Sequence, residues 1–199
     1  MELRPIHKKE KRSYKRMFPI LIGTLIILIM VLSVLDLNTN DGEKLKYNGY
    51  KFVKINNKWV TYINNNPVYF DYSPNNLEQI NADVNYGSML QASKLYLSFD
   101  QEQTSLLLPA RELMQDKNIL GFAGQLVLAC PVDSEACKTQ NLPLKNCNDA
   151  DVSTGIILII SSNDTSIMFS NNCLELKGSH DDLIKIINKL VLKRLGIMQ

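Results

Sequence analysis

Nineteen consecutive residues carry no charge. The run MFPILIGTLIILIMVLSVL, Met17 to Leu35, lies between Arg16 and Asp36. As a helix it would span about 28 Å, close to the ~30 Å hydrocarbon core of a bilayer. A helix buried in a water-soluble domain rarely stays apolar on every face. Pro19 falls near the start, where a missing N–H costs least. A cleaved signal peptide has a shorter apolar core, ~7–15 residues, and a small-x-small cleavage site. This run ends Val-Leu-Ser-Val-Leu-Asp-Leu and has no such site. The expectation is an uncleaved transmembrane helix at residues 17–36, with the lipid bilayer as its partner.

Charge supplies the orientation. Residues 1–16 hold seven basic residues and two acidic ones, a net +5, and the rest of the chain carries −3. A basic tail beside an apolar span stays in the cytoplasm. That places the remainder outside the cell membrane. A mildly acidic body is a poor match for nucleic acid, so no nucleic-acid partner is expected.

The four cysteines, Cys130, Cys137, Cys147 and Cys173, all follow the apolar run. Their gaps are C-x6-C, C-x9-C and C-x25-C. Zinc knuckles and iron–sulfur motifs want close pairs, and thiol redox centres want C-x-x-C. Neither spacing occurs, so no metal and no cofactor is expected. An even count in an oxidising compartment points to disulfides. Three pairings are open. The one expected here closes the short loop with Cys130–Cys137 and ties that loop to a strand with Cys147–Cys173.

Residues 37–46 carry no apolar periodicity and read as a linker. The domain proper is expected over 47–199. YKFVKI (50–55), KWVTYI (58–63) and PVYFDY (67–72) alternate as strands, separated by Asn56-Asn57 and Asn64-Asn65-Asn66. Asparagine tolerates the positive φ of tight hairpins, so the three form an antiparallel meander. Trp59, Tyr62, Tyr69 and Phe70 supply aromatic cover for its faces. A short helical turn follows Ser73-Pro74. Residues 94–100 alternate as a strand. Residues 104–117 read as a helix with Thr104 as N-cap and Pro109 inside it, or beginning at Pro109. GQLVLAC (124–130) and GIILIISS (155–162) are apolar strands, the second central. SIMFS and CLELKG flank Asn171-Asn172 as a hairpin. Ser179 caps a final helix, Asp181 and Asp182 suit its positive end, and Gly196 stops it. The fold class is α+β. One N-terminal transmembrane helix precedes an extracytoplasmic mixed α/β domain, with an antiparallel meander, a mixed sheet and a C-terminal helix.

Catalytic motifs are lacking. Ser179, His180 and Asp181 are adjacent at a helix start, where side chains diverge, whereas a triad must converge within ~3 Å. Asp71, Asp100, Glu112 and Asp116 are carboxylates that could meet in space as a hydrolytic pair. Asn163 begins a glycosylation sequon, Asn163-Asp164-Thr165. The reading is an interaction or assembly module without catalysis of its own, partnered by a protein in or near the membrane. Two alternatives are a hydrolase and a pilin-like subunit. The pilin pattern wants Gly or Ala before the apolar run and Glu near its fifth residue; Lys15-Arg16-Met17-Phe18-Pro19 has neither.

YNGYKFVKINNKWVTYI (47–63) and CLELKGSHDDLIKIINKLVLKRLGIM (173–198), behind a basic-tailed anchor, resemble a set of small uncharacterised archaeal single-pass membrane proteins. The resemblance implies an archaeal surface setting. It brings no activity and no site residues.

Overall fold

A computed structural model describes residues 18–36 and 42–199, with only the backbone at residue 18 and residues 32–36. The basic tail and residues 37–41 of the linker lie outside the described residues. The chain divides into two compact units, the second running from Glu43 to Gln199.

In the first unit, helix α1 spans Phe18–Asp36. Thr24 returns its hydroxyl to the carbonyls of Ile20 and Leu21, so its polar atom stays satisfied within the helix. Among the described residues no helix is long and apolar enough to cross a membrane.

The second unit is α+β. Its first sheet is a meander in the order β1–β2–β3–β4, formed by Lys44–Tyr47, Tyr50–Ile55, Lys58–Ile63 and Asn66–Phe70, all antiparallel. The expected three strands are present and a fourth precedes them. Strand β1 takes up residues 44–46, which the sequence assigns to the linker. Asn48-Gly49 is the turn that adds it, with φ of 45° and 86°. The other turns, Asn56-Asn57 and Asn64-Asn65, adopt the positive φ that their residues favour. Pro67 lies on the edge strand β4, where no partner needs its N–H.

After a short helix α2, Pro74–Leu77, the second sheet begins. Its strands are β5 (Lys94–Ser98), β6 (Gln125–Ala129), β7 (Thr154–Ser161), β8 (Ser166–Ser170) and β9 (Cys173–Gly178). Their order is β6–β5–β7–β9–β8, with only β8 antiparallel. Strand β7 is central, as its apolar run predicts. Helix α3 (Thr104–Leu120) crosses from β5 to β6, α4 (Glu135–Thr139) sits in the cysteine loop, and α5 (His180–Arg194) ends the fold.

A mostly parallel sheet must have both faces covered. One face shares a core with α3, α5 and the meander. Leu95, Leu97, Ile157, Ile159, Leu174 and Leu176 meet Leu106, Leu113, Leu183, Ile186 and Leu190, and beyond them Phe52, Trp59 and Phe70. Among the described residues of this unit, no long helix covers the other face. There Tyr96, Ala129, Ile156, Leu158 and Cys173 pack with Cys147 and Ala150 from the cysteine loop. Lys94 and Lys145 lie over the Tyr96 ring at 5.2 and 5.5 Å. The loop therefore takes the place of a crossover helix. The cystines Cys130–Cys137 and Cys147–Cys173 hold it there, in the pairing expected from the spacing. Among the described residues no His/Cys/Asp/Glu group could hold a metal.

Two helix caps differ from one another. In α5, the Ser179 hydroxyl accepts from Asp182 N–H, as the sequence indicates. In α3 the N-cap is Gln103 rather than Thr104, and Pro109 lies inside the helix. Proline cannot donate to the carbonyl four residues back, which is Ser105. The ring of His180 fills that vacancy: its Nδ1 is 2.7 Å from Ser105 O. Since a carbonyl only accepts, Nδ1 is the donor. Replacing His180 with Ala should cost about 1 kcal/mol of unfolding free energy. In a Pro109→Ala background the cost should fall by at least half, because the substituted backbone regains an N–H for Ser105 O. Urea unfolding of the four proteins of this cycle measures it; equal costs in both backgrounds would disprove the assignment.

Candidate functional site

Three loops meet at the carboxyl ends of the central strands. From β5 the chain crosses through α3 to β6 on one side, then returns to β7 on the other side of β5. In open α/β sheets, ligands bind in the crevice that such a reversal leaves at the strand ends. Here that crevice is a cleft of about 220 Å³, lined by Asp100, Gln103, Leu106, Pro131, Val132 and Ile160, with Ser161 among its remaining wall residues. Asp100 and Gln103 come from the β5–α3 loop, Pro131 and Val132 follow β6, and Ser161 ends β7.

The walls are mostly apolar, with Asp100, Gln103 and Ser161 as their polar residues. Asp100 accepts from Glu102 N–H at 3.0 Å and from Gln103 Nε2 at 2.9 Å. Its carboxylate is thus fixed as an acceptor at the entrance to α3. Val132 is 61% exposed, a large apolar side chain left open at the rim. A fixed acceptor beside an apolar wall suits recognition of a small group of a partner, such as one side chain.

Of the four carboxylates singled out in the sequence, Asp100 stands in this cleft, while Asp71, Glu112 and Asp116 gather elsewhere. Lys58 on β3 reaches Asp71 at 3.1 Å and Glu112 at 3.2 Å. Burial of the ammonium works against its charge, but the hydrogen bonds to Asp71 and then Glu112 outweigh this and raise its pKa. Asp116, one helical turn beyond Glu112, has no such bond among the described residues. Burial, then repulsion from Glu112, pushes its carboxyl up to about 6. Asn188 of α5 steadies the neighbourhood by accepting from the N–H groups of Asp71 and Tyr72, at 2.9 and 3.3 Å. Its buried Nδ2 has no partner among the described residues.

Asp116 carries a pH signature. Its pKa in the fold lies above its ordinary value near 3.8. The charged form is therefore disfavoured by folding, a cost fully present above about pH 6 and relieved as pH falls toward 4. Asp116→Asn should stabilise the domain at pH 7 by about 1–2 kcal/mol, allowing for solvent screening of a partly exposed group. The gain should vanish near pH 4. Urea titrations across that range measure it, and a pH-independent gain would contradict the stated cause.

The remaining sequence candidates are placed as follows. Ser179 Oγ is spent on Asp182, donating at 2.8 Å to its carboxylate. His180 is spent on Ser105. The three adjacent residues 179–181 therefore serve helix ends. Asn163 lies exposed in the bend between β7 and β8. Of the meander aromatics, Trp59 and Phe70 are core, whereas Tyr62 and Tyr69 face solvent at 63% and 55% exposure. No family model, curated protein or solved structure matches the chain.

Proposed function

We propose that this chain is a membrane-anchored, outward-facing interaction module, without catalysis of its own, that binds its partner through the cleft at the ends of β5, β6 and β7. The observation that carries this reading is the position of the cleft at the reversal of strand order. Two further features support the setting. Nineteen uncharged residues behind a +5 tail suit a single span at 17–36 with the tail inside. Two disulfides in the following unit suit an oxidising exterior.

A photocrosslinking residue at position 132, introduced into the full chain in its native membrane, tests the binding reading. A discrete adduct, lost when Leu106 and Ser161 are replaced by Trp to fill the cleft, is the expected result. A smear of random neighbours unaffected by filling would overturn it. Protease added to intact cells tests the setting: residues 43–199 should be digested and the tail spared.

A hydrolytic reading has one specific observation in its favour, the Asp116 carboxyl that burial and then Glu112 push up to about 6. Turnover of a small substrate, abolished by Asp116→Asn with the fold intact, would establish it instead.

A further inference from the structure

The meander has two unlike faces. By alternation and register, Phe52, Trp59, Val68 and Phe70 point into the core. The opposite face carries Lys44 and Lys46 from β1, Lys51, Val53 and Ile55 from β2, Lys58, Tyr62 and the buried Val60 from β3, and Pro67 and Tyr69 from β4. Its strands contribute four lysines and no carboxylate. Lys58 is engaged by Asp71 and Glu112. Lys46 and Lys51 are exposed and have no ion-pair partner among the described residues. Between them and the β4 edge stand Tyr62 and Tyr69, both more than half exposed, and Ile55 is 43% exposed.

We infer that this face docks on an anionic lipid surface, that of the bilayer in which the chain is anchored; the inference rests on the anchored reading above. Three observations select lipid over a protein partner. Lys46 and Lys51 present exposed positive charge, complementary to phosphate headgroups. Tyrosine, with an apolar ring and a polar tip, is a side chain of the membrane–water interface. Seven residues, 37–43, join α1 to β1, and a chain of that length reaches at most about 25 Å. The tether therefore keeps the meander, the first element after it, within reach of the headgroups. Docking would leave the cleft, on a different sheet, to its own ligand.

The test uses the full chain in lipid nanodiscs, either of phosphatidylcholine alone or with phosphatidylglycerol added. A membrane-impermeant acylating reagent labels lysines, and mass spectrometry reads each site. Lys46 and Lys51 should react about five-fold more slowly in the anionic discs, the change that ~1 kcal/mol of attraction per lysine produces. Lys138, in the cysteine loop, should not change. Raised salt should remove the protection, and replacing Tyr62 and Tyr69 by Ser should weaken it with the lysines intact. Equal reactivity in both kinds of disc would overturn the docking. Protection that follows protein density and ignores lipid charge would identify a second copy as occupant and also overturn it. A chain that enters the discs without protection refutes docking alone. One that fails to enter refutes the anchor, and docking with it.

Discussion

Cys173→Ser is expected to lower the unfolding free energy by about 2–5 kcal/mol. Two causes combine. In a chain-entropy account, closing the 26-residue separation between Cys147 and Cys173 contributes about 3.5 kcal/mol. The cystine also holds the loop over the second face of the sheet, so its loss opens Tyr96, Ile156 and Leu158 to water. Cys137→Ser should cost less, because its bridge closes a separation of only seven residues, worth about 2.3 kcal/mol on the same scale. Equilibrium urea unfolding measures both. A larger m-value change for Cys147→Ser than for Cys137→Ser should accompany the ranking, since the reduced long loop exposes more surface. If Cys137→Ser proved the more damaging, the covering role of the loop would be refuted.

Lys58→Met is expected to cost about 2 kcal/mol at pH 7. Removing the cation from a buried pair costs ~3–5 kcal/mol, and the partial exposure of Lys58, 39% for its side chain, reduces that. The substitution leaves three carboxylates together, one of them, Glu112, only 11% exposed. The sign of the pH dependence follows. Lysine is charged throughout the range from pH 4 to 9, so the carboxylates set the trend. Asp116, pushed up to about 6 by burial and Glu112, takes up a proton first, and the repulsion falls with it. The penalty of Lys58→Met should therefore be greatest above pH 6 and shrink toward pH 4. In an Asp116→Asn background the penalty should be smaller at pH 7, because one of the repelling charges is gone. Additive costs at pH 7 would show that Lys58 and Asp116 do not share a field.

The sequence determined the local structure of this protein because its signals are local in origin. Alternation at period two marks β2, β3 and β4, and paired asparagines with positive φ mark the turns between them. Asn48-Gly49 carried the same signal for β1, and its hairpin explains why the domain begins before the expected end of the linker. Ser179, Asp181 and Asp182 mark the start of α5, and Gly196, at φ 71°, marks its end. The cysteine spacing anticipated the pairing because short loops close at least entropic cost.

Tertiary structure decided the rest. The periodicity of a strand states which face is buried but not what covers it. Nothing local to Cys147 shows that its loop covers a sheet face left without a helix. The strand–helix–strand spacing of 94–98, 104–120 and 125–129 signals a parallel crossover, yet the cleft it helps form also needs β7 on the far side of β5. Asp100 was legible as a carboxylate, whereas Gln103, Pro131, Val132 and Ser161 become neighbours only at the strand ends. Likewise Lys58 and Glu112 meet across 54 residues, and His180 finds Ser105 across 75. Such contacts depend on strand order and crossover direction. Those are set by how whole apolar faces cover one another, which no single segment of the chain encodes.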